Sequence, residues 1–243
     1  MKVGTGTQTL GGANTCTGGT VVSNGTLLVN GSLAGTVAVR SGGAVGGTGT
    51  IEGLVTVDAG GTLGAGTNFG TLTLNSSPVL NGTVRAKVDR NEGTPMADQV
   101  AVPGQPISYH GTLVVANTGA LLQPGDTFTL FSASSYSGSF TITAQTPGQI
   151  VTWNASNLTV NGSLSVATVA PVPLTAAATG NALNLSWPAE AIGVQLQMQA
   201  NELNVGIGTN WVAVAGSTAT NQVSVPIVAT NPCVFLRLVY PPQ

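Results

Sequence analysis

The sequence predicts an all-β protein: a right-handed parallel β-helix followed by a small antiparallel β-sandwich. Three observations carry this expectation. Three similar segments, residues 20–35, 36–53 and 54–70, follow one another without a gap, and a fourth starts at Thr71. A unit this short cannot be a helical hairpin or a propeller blade and suits one coil of a β-solenoid. Only 6% of residues are charged, against about 25% in an ordinary globular protein. Thirty-four glycines stand beside abundant Thr, Asn, Ser and Val, so helix propensity is poor while turns and β-branched strands are well supplied.

Each repeat reads as two short strands. Val37 and Val39, Val55 and Val57, and Leu72 and Leu74 occupy matching alternating positions in the first. A period of two sends these side chains inward and leaves Thr36, Ala38 and Arg40, or Thr56 and Asp58, facing out. Turns follow at Asn24-Gly25, Gly42-Gly43 and Gly60-Gly61, and the second strand starts at Thr26-Leu27, Ala44-Val45 or Thr62-Leu63. Equivalent strands of successive coils are expected to stack about 4.8 Å apart with parallel hydrogen bonding.

After Asn75 the period loosens. Residues 83–89, 112–119, 127–133, 139–143 and 158–162 still read as strands. Residues 90–110, with three of the thirteen prolines and the single histidine, read as a loop or broken coil. Five aromatics, Phe128, Phe131, Tyr136, Phe140 and Trp153, suggest wider coils or a cap in this half. The expected organisation is a β-helix over 1–168, a Pro-rich linker over 169–174 and a sandwich over 175–243. In the last part Leu183, Leu185 and Trp187 alternate, and Val194, Leu196 and Met198 alternate against Gln195, Gln197 and Gln199.

The pieces Asn14-Thr15-Cys16-Thr17-Gly18-Gly19-Thr20, Val22-Ser23-Asn24-Gly25-Thr26-Leu27 and Gly46-Gly47-Thr48-Gly49-Thr50-Ile51 resemble the passenger-associated β-strand repeat of bacterial autotransporters and related surface proteins. Cys16 stands where that repeat commonly has an aromatic residue. The resemblance covers roughly residues 1–75. It implies an exported β-helix, cell-surface or extracellular, adhesive or acting as a stalk, without catalytic residues. The repeat already under way at Gly4 points to a piece of a longer exported protein. The segments Leu183-Asn184-Leu185-Ser186-Trp187-Pro188 and 234–240 are more weakly similar to fibronectin type III-like modules.

Composition excludes other classes. A net charge of −2 gives no electrostatic case for nucleic acid, and no apolar run approaches the ~20 residues of a spanning helix. Cys16 and Cys233 are too widely separated to be expected as a disulfide. One histidine and two distant cysteines make no zinc site, and no repeated calcium-binding run is present. His110 could be set beside Asp98 or Asp126, but no nucleophile-elbow sequence accompanies it. Neither cofactor nor metal is therefore expected.

The one charged cluster is Arg85, Lys87, Asp89, Arg90, Glu92 and Asp98. Arg85, Lys87 and Asp89 alternate with Val84, Ala86 and Val88, so they share the outer face of a strand. A solvated strand face accounts for them, with exposed pairs worth about 0–1 kcal/mol. The rival account is a ligand-binding face for acidic polysaccharide, or a polysaccharide-degrading site. Paired carboxylates for glycoside hydrolysis must stand about 5–10 Å apart; Glu52 with Asp58, or Asp89, Glu92 and Asp98 around a folded loop, are the candidates. Trp153 and Trp211 could stack on sugars, whereas Trp187 has the alternation of a core residue. The expected role is a non-catalytic surface protein contacting glycans, a host or neighbouring cell surface, or copies of itself.

Overall fold

A computed structural model describes residues 1–64, 66, 68–91, 93–202, 204–228 and 233–240. The described chain is almost entirely β and forms two compact units. One comprises Met1–Gln145 with Trp153–Thr168, the other Thr146–Thr152 with Val169–Gln243.

The first unit is a parallel β-helix with three sheets rather than the two that the repeats suggest. One sheet stacks Thr7–Leu10, Gly25–Val29, Gly43–Gly46, Thr62–Gly64, Thr83–Asn91, Thr112–Asn117 and Thr141–Gln145. A second stacks Ala13–Asn14, Ser32–Leu33, Thr50–Ile51, Thr71–Leu74, Gln99–Tyr109 and Phe131–Gly138. The third stacks Thr20–Val22, Val37–Val39, Val55–Val57 and Val79–Leu80. The missed sheet is built from strands as short as two residues, Ser32–Leu33 and Thr50–Ile51, too short to show alternation.

Register places like on like. In the first sheet Leu27, Val45, Leu63, Val84 and Leu113 form one buried column. Val22, Val39, Val57 and Leu80 form another in the third sheet, and Leu33, Ile51 and Leu74 a third in the second. Burying each such side chain contributes about 1.5–3 kcal/mol, and no coil could bury its own without the next. Leu72 and Leu74 therefore belong to the second sheet. The partner of Val57 in the next coil is Leu80, not Leu74. In the first coil Gln8 and Asn14 take the column positions that later coils fill with Leu, Val or Ile. Asn14 Nδ2 donates to the carbonyls of Gly12 (2.8 Å) and Ser32 (3.1 Å).

Coil length then grows. Thr26, Ala44 and Thr62 are successive register partners in the narrow coils, and Thr83, Thr112 and Thr141 are successive partners in the later ones. The chain between partners is longer by more than half in the second set. The added length is not the loop expected over 90–110. Thr94–Ala97 folds back antiparallel on Thr83–Asn91, and Gln99–Tyr109 continues the second sheet. Val100, Val102, Ile107 and Tyr109 are buried, and this burial overrides the prolines. Pro103 and Pro106 fit because the stretch between Val102 and Pro106 is an exposed irregularity of register, where no ladder donor is needed.

The wide coils hold the aromatics. Tyr109 lies 5.0 Å from Phe131 and 4.8 Å from Phe140 between ring centroids, and Phe128 meets Trp153 edge-on at 6.1 Å. A single helical turn, Leu158–Asn161, and the antiparallel pair Thr127–Thr129 with Ser163–Ala170 close onto them. The Tyr109 hydroxyl donates to the Leu158 carbonyl at 3.0 Å. Burial, with a smaller contribution from Tyr136, pushes this phenol above its ordinary value of 10.0. The unfolded chain would ionise it near pH 10 while the folded chain keeps the proton. Its contribution is thus complete below pH 10 and is lost as the pH rises beyond. Denaturant midpoints should fall above pH 10, and the fall should be visibly smaller in Tyr109→Phe, which costs about 1 kcal/mol at neutral pH. Parallel alkaline profiles for the two proteins would contradict this.

The second unit is a sandwich of two antiparallel sheets. One orders Thr175–Thr179, Ala182–Ser186 and Gln222–Pro226; the other orders Val212–Ala213, Gln195–Asn201 and Cys233–Val239. Leu185, Trp187, Ala191, Val194 and Leu196 make its core, so Trp187 is a packing residue. Val172 and Leu174, within the Pro-rich stretch read as a linker, pack against that core, as does Ile150.

Candidate functional site

The charged residues gather where the sequence put them, at the start of the widened coils. Arg85, Lys87 and Asp89 point outward from Thr83–Asn91, between the buried Val84, Ala86 and Val88. Glu92 lies outside the described residues. Asp98 sits just after the returning strand Thr94–Ala97 and is only 4% exposed. Its Oδ2 accepts from both the Lys87 backbone N–H and the Lys87 ammonium, each at 3.0 Å. That ammonium also donates to the carbonyls of Gly66 (2.6 Å) and Asn68 (3.1 Å) and lies over the Phe69 ring.

The other charges are engaged in the same way. Arg90 Nε donates to Asp126 Oδ1 at 3.1 Å, and Asp126 Oδ2 accepts the Gln123 N–H at 2.7 Å. Asp89 Oδ1 accepts the Ala120 N–H at 3.1 Å. The cluster therefore ties the hairpin and the following coil to the strand, and Asp98 and Asp126 became visible as its anchors only through the fold. Of the carboxylates weighed as acid/base partners, Asp58 is paired with Arg40 and Glu52 accepts from Asn75, so both are engaged by other side chains. His110 is exposed in the turn after Gln99–Tyr109.

Arg85 alone of the described cluster stays exposed, with neither ion pair nor hydrogen bond among the described residues. It closes one end of a shallow groove of about 270 Å³ on the first sheet, with Leu28 also in its lining. The groove runs beside an outward column of Thr7, Thr26, Ala44 and Thr62 over Gly46 and Gly64. Chemically the groove offers hydroxyls and one guanidinium, groups that can hydrogen-bond a polar ligand.

In the sandwich, a cleft of about 340 Å³ between the two sheets is lined wholly by apolar residues, among them Leu183, Met198, Val225 and Leu236. On the outer face of the sheet containing Gln195–Asn201, the Arg237 guanidinium lies 4.0 Å from the Trp211 ring centroid. Its Nε and Nη2 both donate to Gln197 Oε1, at 3.0 and 2.8 Å.

Residues 2–29 match the family model of the passenger-associated-transport-repeat, which supports the autotransporter passenger repeat read from the first coils. The match ends within the strand Gly25–Val29 of the second coil. No curated protein is significantly similar to the chain. Among the described residues no helix is long and apolar enough to cross a membrane.

Proposed function

We propose that this chain is a non-catalytic surface or secreted protein of the autotransporter passenger type. Its β-helix serves as a stiff spacer, and its sandwich supplies a contact surface for glycans or a neighbouring cell. One observation carries the reading. Column after column of aliphatic side chains continues in register while Lys87, Asp89, Arg90, Asp98 and Asp126 are engaged within the coils. A hydrolase or lyase needs ionisable groups free to meet substrate. The repeat match at residues 2–29 supports an exported, surface location. Two three-stranded antiparallel sheets over a Trp187 core support the fibronectin type III-like reading of the sandwich.

Display of residues 1–243 and of residues 1–168 on a bacterial surface would test this. Adhesion to glycan-bearing surfaces is expected with the full chain and is expected to be lost with the shorter one. Release of reducing ends or unsaturated products from pectin- or alginate-like polymers, abolished in Arg85→Ala, would overturn the non-catalytic assignment.

A further inference from the structure

We propose that Arg237, held between Trp211 and Gln197 on the outer face of the sandwich, is a carboxylate-binding site for a uronic acid residue of an acidic glycan. The proposal rests on the reading of the sandwich as the contact module and gives that contact a chemistry.

A guanidinium carries five N–H donors in a planar fork. In Arg237 the edge formed by Nε and Nη2 is closed by a single acceptor, Gln197 Oε1. The edge formed by Nη1 and Nη2 has no partner among the described residues, and Arg237 is exposed. The ion pairs of the described chain belong to Arg40, Lys87 and Arg90, so neither Glu190 nor Glu202 of the same unit neutralises Arg237. The free edge is the one that takes both oxygens of a carboxylate in two parallel hydrogen bonds.

The fork is also fixed in place before any ligand arrives. Strand register sets Arg237 opposite Gln197, and Gln197 Nε2 donates to Gln195 Oε1 at 3.0 Å. Trp211 is held by the segment before it. Gln199, 2% exposed, accepts the Gly208 N–H at 2.8 Å, while Asn201 Nδ2 donates to the Gly206 carbonyl at 2.7 Å and Asn201 Oδ1 accepts from Asn210 at 2.9 Å. An exposed cation–π contact alone is worth only about 0.5–1 kcal/mol, so stacking by itself does not account for so many constraints on one side chain. Pre-ordering of this kind lowers the entropy that binding must overcome.

The surroundings choose among carboxylates. Among the described residues the Gln195 Nε2 and Asn210 Oδ1 keep no partner and can donate to and accept from ring hydroxyls, and the half-buried Trp211 carries an indole N–H that can donate to a sugar oxygen. The chain carries a net charge of −2, so a polyanion is not drawn to it by overall charge. Binding must come from the local fork.

The test uses the full soluble chain, titrated with a galacturonate tetrasaccharide, a neutral galactose tetrasaccharide and a tetraglutamate peptide. The readout is the NMR signals of the Arg237 Nε–H and the Trp211 indole N–H. The galacturonate should shift both signals and the neutral sugar neither. Arg237→Lys keeps the charge and removes the fork, and should weaken galacturonate binding about tenfold or more while the melting temperature falls by only a few degrees, leaving the chain folded at the temperature of the titration. Equal affinity in Arg237→Lys, no shift at millimolar galacturonate, or tighter binding of tetraglutamate would each overturn the assignment. Galacturonate binding in a protein that fails to adhere when displayed would count against the adhesive role and uphold this site.

Discussion

Gly47→Ala should destabilise the β-helix by about 3–5 kcal/mol, read as a drop in the urea midpoint, because two separate penalties meet at that position. Its φ is +120°, a conformation that a side chain resists at about 1–3 kcal/mol. An added Cβ would also be driven into the backbone of the coil before it. It would meet the carbonyl oxygen of Val29 and lie 2.6 Å from its carbon and 2.7 Å from its nitrogen. Backbone cannot swing aside as a side chain can, so the coils must part, at a further cost of about 1–3 kcal/mol. Two controls separate the contributions. Gly42 has φ +82° but nothing nearer than the Ser23 carbonyl oxygen at 3.6 Å, so Gly42→Ala isolates the conformational part, about 1 kcal/mol. Gly49 has no positive φ and abuts the backbone of Asn30 and Gly31, so Gly49→Ala isolates the clash. Indistinguishable midpoints for the Gly42 and Gly47 variants would sink the idea that inter-coil spacing selects glycine there.

Asp98→Ala is expected to cost about 3 kcal/mol, the second large effect. Removing the carboxylate strands two donors of Lys87 at once, its backbone N–H and part of its ammonium, in a site where the Lys87 side chain is 15% exposed. Asp98→Asn keeps an acceptor of the same shape and should cost about half as much. Combining Asp98→Ala with Lys87→Met should cost clearly less than the sum of the two single changes, since the unpaired ammonium is then absent. Guanidinium unfolding of the four proteins would decide it. A loss under about 0.5 kcal/mol in Asp98→Ala would place the pair among the surface contacts of little worth.

Much of the β-helix could be read in the sequence because its coils repeat their own chemistry. The alternation at Val37, Val39, Val55 and Val57, and the turns at Asn24-Gly25 and Gly60-Gly61, mark strands that are long enough to show a period. Ser32–Leu33 and Thr50–Ile51 hold a single inward residue each, and one residue has no period. For the same reason Leu72 and Leu74, which alternate clearly, were open to assignment to the wrong sheet. Residues 90–110 misled through proline. The sequence shows the residues that break a ladder but not the bulge that excuses them, nor the burial of Val100 and Tyr109 on either side.

The charged cluster was legible as a cluster and not as a set of ties. Alternation alone puts Arg85, Lys87 and Asp89 on one face. The partners Ala120, Asp126 and Asn68 come from other turns of the chain, and only three-dimensional stacking brings them near. The Arg237 site is the same kind of case. Arg237 is distant along the chain from both Trp211 and Gln197, and strand pairing creates the fork's setting.

The inter-coil hydrogen bonds run along the axis of the solenoid, one coil to the next, and each coil continues into its neighbour through one covalent crossing. Tension applied between the ends of the stack would therefore load a few bonds at a time, peeling turns off singly instead of shearing a whole sheet together. Each narrow turn released would add about 60 Å of extended chain, so the solenoid would behave as a shock absorber with small regular steps.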